Sequence, residues 1–164
     1  MRFHKTDDKG SIADIRSYFD YLQANETQLP PGVRAFALSD WFHDRKDSRC
    51  PHDCWLEQLS IREIASAGNK DIRSTMISAS FLGAYHDGII EFVYKDVTSY
   101  SITGLISKSD GSSGGHGDWL MDEIALDAGG IAHEIVFSGS AHWIIRCADM
   151  TYQWVPLPSP QPSG

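Results

Sequence analysis

The sequence predicts an α+β domain, an N-terminal helix packed on a mainly antiparallel β-sheet of about seven to eight strands, arranged as a sandwich or an incomplete barrel. Two observations carry this. Helical apolar spacing is clear only near the N-terminus, and from Trp55 onward short alternating segments are separated by turn residues at spacings of about 8–12.

Ser11 and Asp14 fit a capping-box-like start, and Ile12, Ile15, Phe19 and Leu22 follow at helical spacing, so residues 11–24 are expected to be an amphipathic helix. Pro30, Pro31 and Gly32 then break the chain. Val33, Phe36, Ala37 and Trp41 fit a short second helix better than a strand. The expected strands run from Trp55 to Arg62, Ile72 to Leu82, Ile89 to Tyr94, Thr98 to Ile106, Trp119 to Leu126, Ile131 to Phe137, Ala141 to Cys147 and Tyr152 to Val155. The turns between them are expected at 66–71, at Tyr85-His86-Asp87-Gly88, at Lys95-Asp96 and at Asp127-Ala128-Gly129-Gly130. At the second of these, Asp-Gly is expected to supply the positive φ. The Ser/Gly-rich run from Ser109 to Gly117 reads as a mobile loop. Residues 1–155 read as one domain, and 156–164, with four prolines, as a disordered tail.

At 164 residues the chain is long enough to bury a core without metal or disulfide. Its net charge of −8, with no basic stripe, argues against nucleic acid, whose phosphates are met by Lys and Arg, and against an anionic membrane surface. No window is apolar enough for a membrane span, and residues 1–10 lack the apolar core of a secretory leader. The three cysteines, Cys50, Cys54 and Cys147, are then expected as free thiols in a reducing, cytoplasmic setting.

Four groups of residues could carry chemistry. The stretch from Trp41 to Trp55 holds His43, Asp44, Asp47, Cys50, His52, Asp53 and Cys54. Cys50 and Cys54 with His43 or His52 could bind zinc, which takes thiolate and imidazole ligands. The Cys-x3-Cys spacing is looser than a common knuckle and has no second ligand pair downstream, which favours a plain loop. An oxidised Cys50–Cys54 pair is a third alternative. The second group is the three dipeptides His43-Asp44, His52-Asp53 and His86-Asp87. They resemble the signature of a metal-dependent phosphohydrolase superfamily, but that signature lies on packed helices and these lie beside turns. The third is the 109–123 segment, where His116, Asp118, Asp122 and Glu123 are acid–base or ligand candidates. A strand over 119–126 sends Asp122 and Glu123 to opposite faces, and His116, Asp118 and Glu123 remain the ligand-binding candidates. The fourth is His133, Glu134 and His142 on adjacent strands. His133 shares a face with Ile131, Ile135 and Phe137, where a hydrogen-bonded core histidine is the ordinary outcome.

The segments "HDCWLEQLSI", "FLGAYHDGIIEFVYKDVTSYSI", "HGDWLMDEI" and "HEIVF…HWIIRC" together resemble a family of uncharacterised small bacterial proteins over about residues 52–155. Their strand rhythm is more distantly similar to immunity-type proteins that neutralise toxins. That resemblance implies a bacterial cytoplasmic protein and brings no catalytic residues.

The sequence therefore predicts a non-enzymatic, acidic, protein-binding domain, monomeric or homodimeric, with no cofactor. Its five Trp supply interface anchors if some are exposed. The alternatives are a metal-dependent or small-ligand enzyme using the 43–54 or 109–123 loops, and a ligand-binding β-barrel.

Overall fold

The computed structural model describes residues 1–3, 5–6, 12–13, 15–104, 115–138 and 141–158. The fold is α+β, with two short helices and a six-stranded antiparallel sheet. Strands β1 (Lys5–Thr6) and β2 (Ile12–Ala13) pair with each other. Helices α1 (Arg16–Ala24) and α2 (Pro31–Ala37) follow. The main sheet contains β3 (Trp55–Ser66), β4 (Asn69–Leu82), β5 (Gly88–Ile102), β6 (Trp119–Asp127), β7 (Gly130–Phe137) and β8 (His142–Pro156), in the order β3-β4-β5-β8-β7-β6.

The main sheet has six strands rather than seven or eight because one expected turn and one expected break between strands do not form. Lys95-Asp96 is carried through as an irregularity: Asp96 adopts φ 51° and the register shifts between Val97 and Ser99. The expected break after Cys147 is likewise absent. β5 and β8 pair without interruption by a turn from Gly88↔Pro156 to Ile102↔Trp143. Two 15-residue strands lying side by side satisfy each other's backbone groups, which outweighs local turn preference.

The helix starts later than the spacing predicts. Ile12 and Ala13 pair with Thr6 and Lys5, and Ile15 occupies the N-cap position with no side-chain cap. Ser11 and Asp14, the expected capping pair, lie outside the described residues, as does most of the 109–117 loop. Pro30-Pro31-Gly32 opens a helix instead of only breaking the chain. Pro31 sits in the first turn, where a missing N–H costs nothing. The free N–H groups of Gly32 and Val33 donate to the Asp149 carboxylate of β8 at 3.3 and 3.2 Å. Gly32 approaches so closely that a Cβ there would overlap the Met150 carbonyl oxygen.

The β4–β5 turn also differs in detail. His86, not Gly88, takes the positive φ, at 57°. Gly88 is needed for space, since a Cβ would meet the Trp154 ring.

One face of the sheet carries the core. Ile77, Ala79 and Phe81 of β4, Ile90, Phe92 and Tyr94 of β5, and Ile131, His133, Ile135 and Phe137 of β7 are buried in alternation. Phe36 of α2 meets this face edge-on at Phe92, 5.2 Å between centroids, and stacks on Tyr152 at 5.2 Å. Tyr18 and Leu22 of α1 belong to the same buried cluster.

The two edge strands meet at one end. Asp53 N–H donates to the Trp119 carbonyl and Trp119 N–H to the Cys54 carbonyl, both at 2.8 Å, and Trp55 bridges Asp118. Further along β6, Ile124 N–H donates to the Tyr18 hydroxyl at 2.7 Å and Leu126 N–H to the Tyr21 hydroxyl at 2.8 Å. Two tyrosines one helical turn apart thus satisfy edge-strand donors that no strand covers. Leu157 N–H bonds the Asp87 carbonyl, so the start of the expected tail is anchored, and 159–164 lie outside the described residues. Among the described residues no helix is long and apolar enough to cross a membrane.

Tyr18→Phe leaves the buried Ile124 N–H without its acceptor. It is expected to destabilise the domain by about 1–3 kcal/mol, and Tyr21→Phe by less, because that bond is only partly buried. Urea unfolding should show lower midpoints with unchanged slopes.

Candidate functional site

Residues 38–54 form a run of turns between α2 and β3, fastened at several points. Trp41 and Phe42 are buried in the core. Tyr85 donates its hydroxyl to the Arg45 carbonyl at 2.8 Å and Tyr152 to the Arg49 carbonyl at 2.6 Å. Ser48 donates to the Asp87 carboxylate at 2.7 Å. Arg49 is paired with Asp47 through two nitrogens and lies over the Trp41 ring. The guanidinium holds the Asp47 carboxyl below its ordinary range.

This run, the start of α1 and the start of β6 enclose a cavity of about 230 Å³. Ile15, Phe19, Phe42, Leu120 and Met121 make its lining largely apolar. His43, Arg45, Cys50, His52 and Asp122 add the polar groups. Few convergent polar groups in an apolar concavity are the usual composition of a small-molecule site.

Asp122 is the most elaborated of them. It is 3% exposed, and each of its oxygens has a donor. Trp119 Nε1–H reaches Oδ1 at 3.1 Å and His133 Nε2 lies 3.0 Å from Oδ2. The far nitrogen, Nδ1, lies 2.9 Å from the Tyr94 hydroxyl. A carboxylate only accepts, so the hydrogen of this pair sits on Nε2. Nδ1 shares the second hydrogen bond of the ring with the Tyr94 hydroxyl. Burial raises the Tyr94 pKa well above the phenol range, with Cys147 and Asp122 adding to it, which keeps that hydroxyl protonated. Trp119, Asp122, His133 and Tyr94 come from β6, β7 and β5, so the network crosses the sheet beneath the cavity.

The predicted residues divide between places. His43, Cys50 and His52 line the cavity, and Cys54 is buried in the core beside it. His43 packs edge-on against Phe19 at 5.1 Å. His52 Nδ1 lies 3.0 Å from Asp53 in ion-pair range but without hydrogen-bond geometry, so the imidazole nitrogen is not satisfied by that contact. Cys50 donates its thiol to the Phe42 carbonyl at 3.4 Å, and all three cysteines are free and buried. Among the described residues no three His, Cys, Asp or Glu side chains converge as a metal-binding group. Burial pushes the Cys50 thiol up to about 11 and the Cys147 thiol to about 12.

The 109–123 candidates serve different neighbours. His116 sits edge-on to Trp143 at 5.2 Å, and partial burial lowers its pKa. Asp118 N–H donates to Ser138 Oγ. Glu123 faces away from Asp122 and accepts the backbone N–H groups of Arg2 and Phe3 at 2.6 and 2.7 Å. Elsewhere, His86 packs on Trp55, and His142 bonds Glu134 at 2.7 Å. Sequence reasoning met Asp122 and His133 separately. The available signal was an acid and a histidine each on the apolar side of its strand, but joining them needs the β6–β7 register, Asp122↔Ile135 and Ile124↔His133.

Compared with protein-family models, with curated proteins and with solved structures, the chain matches none.

His133→Phe removes the hydrogen-bond partner of a buried carboxyl and should cost about 3–5 kcal/mol, against about 1–2 for Tyr94→Phe, measured by denaturant unfolding. Cys50 should stay unreactive to a thiol-disulfide reagent at pH 8. It should begin to react only as pH rises toward 11, where thiolate forms, while unfolded protein reacts at pH 8.

Proposed function

We propose that the chain is a small-ligand-binding domain, and that the cavity between residues 42–52 and the start of β6 is its site. The observation that carries this is the placement of Asp122. A buried, doubly hydrogen-bonded carboxyl lies against a largely apolar space and is backed by His133 and Tyr94. A carboxyl has about four lone-pair positions, and the network occupies two, so Asp122 can still accept from a ligand hydroxyl or N–H. A dry cavity of 150 Å³ holds benzene, so 230 Å³ suits one ring with a few further atoms.

A second reading, a protein-binding domain of the immunity type, has its own support. β4 pairs with β5 only from Ile77 to Leu82, so the far part of β3 and β4 extends as a two-stranded ribbon. Ile64 and Ile72 are exposed on it, and Ile61 at its base. Exposed aliphatic side chains at a free strand edge are the raw material of strand-addition interfaces.

The first reading is tested by titrating isotope-labelled protein with benzyl alcohol, a neutral one-ring probe. Amide shifts are expected at Phe42, His43, Cys50, His52 and Leu120 to Asp122. They should disappear in Leu120→Trp, which fills the cavity. Shifts scattered over the surface, or unchanged in the filled variant, would overturn the reading.

A further inference from the structure

Two charged groups of opposite sign stand on the cavity lining, beside the polar side chains of His43, Cys50 and His52. Its deepest polar group is the Asp122 carboxyl, already engaged by Trp119 and His133. Its outermost is Arg45, an exposed side chain on the lining. Three other arginines are paired with carboxylates: Arg49 with Asp47 at 2.7 Å, Arg73 with Glu63 at 2.9 Å and Arg146 with Asp127 at 2.7 Å. Among the described residues Arg45 has no carboxylate within ion-pair distance. Its backbone is nevertheless fixed, because Tyr85 holds its carbonyl. In a chain of net charge −8, Arg45 sets a cation with no such partner among the described residues on the lining of a largely apolar cavity.

We infer that the ligand of this cavity is a small apolar carboxylic acid, its ring or chain against Phe19, Phe42, Leu120 and Met121 and its carboxylate at Arg45. This rests on the small-ligand reading above. The guanidinium presents paired N–H donors that match a carboxylate in plane, which a point charge does not. The opposite orientation is disfavoured, since it would set a second carboxylate against Asp122 in a buried place. The volume limits the acid to about one ring. His43 and His52 flank the same lining and can add ring N–H donors.

The test compares benzoate with benzyl alcohol, matched in size and differing in charge, on the full chain and on Arg45→Gln. Benzoate should shift the cavity amides with a dissociation constant about tenfold lower than benzyl alcohol. In Arg45→Gln, benzoate should fall to the level of benzyl alcohol, whose own binding should not change. Equal binding of the two probes by the unaltered chain, or a preference that survives Arg45→Gln, overturns the carboxylate inference and leaves the cavity reading standing. If neither probe shifts the cavity amides, both fall together.

Discussion

The arrangement depends on the pair of backbone hydrogen bonds that joins Asp53 and Cys54 to Trp119. A six-stranded sheet with two open edges leaves rows of unpaired donors and acceptors. Here the sheet curls until its first and last strands touch at one end. That contact is short, because β3 and β6 then diverge, and beyond it the two α1 tyrosines take over the donors of β6. The closing contact also decides where the turns before β3 must lie. Residues 42–52 enter β3 beside the start of β6, and the space between them is the cavity. Backbone closure and candidate site are therefore one construction.

The buried polar network has a comparable role within the sheet. Carrying Asp122 and His133 into an aromatic core is costly unless every polar atom is met, and Trp119 and Tyr94 complete the set. A one-residue slip of β7 would turn His133 to the other face and strand the carboxyl. The network thus fixes strand register as well as shaping the cavity floor, much as a single buried polar residue fixes alignment in packed helices.

The fold class was legible because alternation at Ile77-Ala79-Phe81, Ile90-Phe92-Tyr94 and Ile131-Ile135-Phe137 reports a sheet with one buried face. The count of strands was not, because Lys95-Asp96 carries turn chemistry that long pairing with β8 overrides. Pro30-Pro31-Gly32 reads as a break in the sequence because the carboxylate that caps its helix, Asp149, is more than a hundred residues away. The 43–54 cluster drew notice through His43, Cys50 and His52, which do line a cavity. Asp122 completes that lining from β6, outside the cluster. The pairing of Asp122 with His133 depends on register across a hairpin, and single-strand periodicity contains no such information.

The fastening of residues 42–52 carries a consequence for how the cavity exchanges its contents. Tyr85 and Asp87 stand at the β4–β5 turn, and Tyr152 stands on the central strand β8. All three hold the cavity wall to the most extensively paired part of the sheet. The wall cannot swing outward as a separate lid while those strands remain paired, because local opening is confined to segments with few such ties. Passage in and out is then a matter of side-chain rotation at the entrance, on the fast scale of exposed rotamers rather than the slow scale of loop rearrangement.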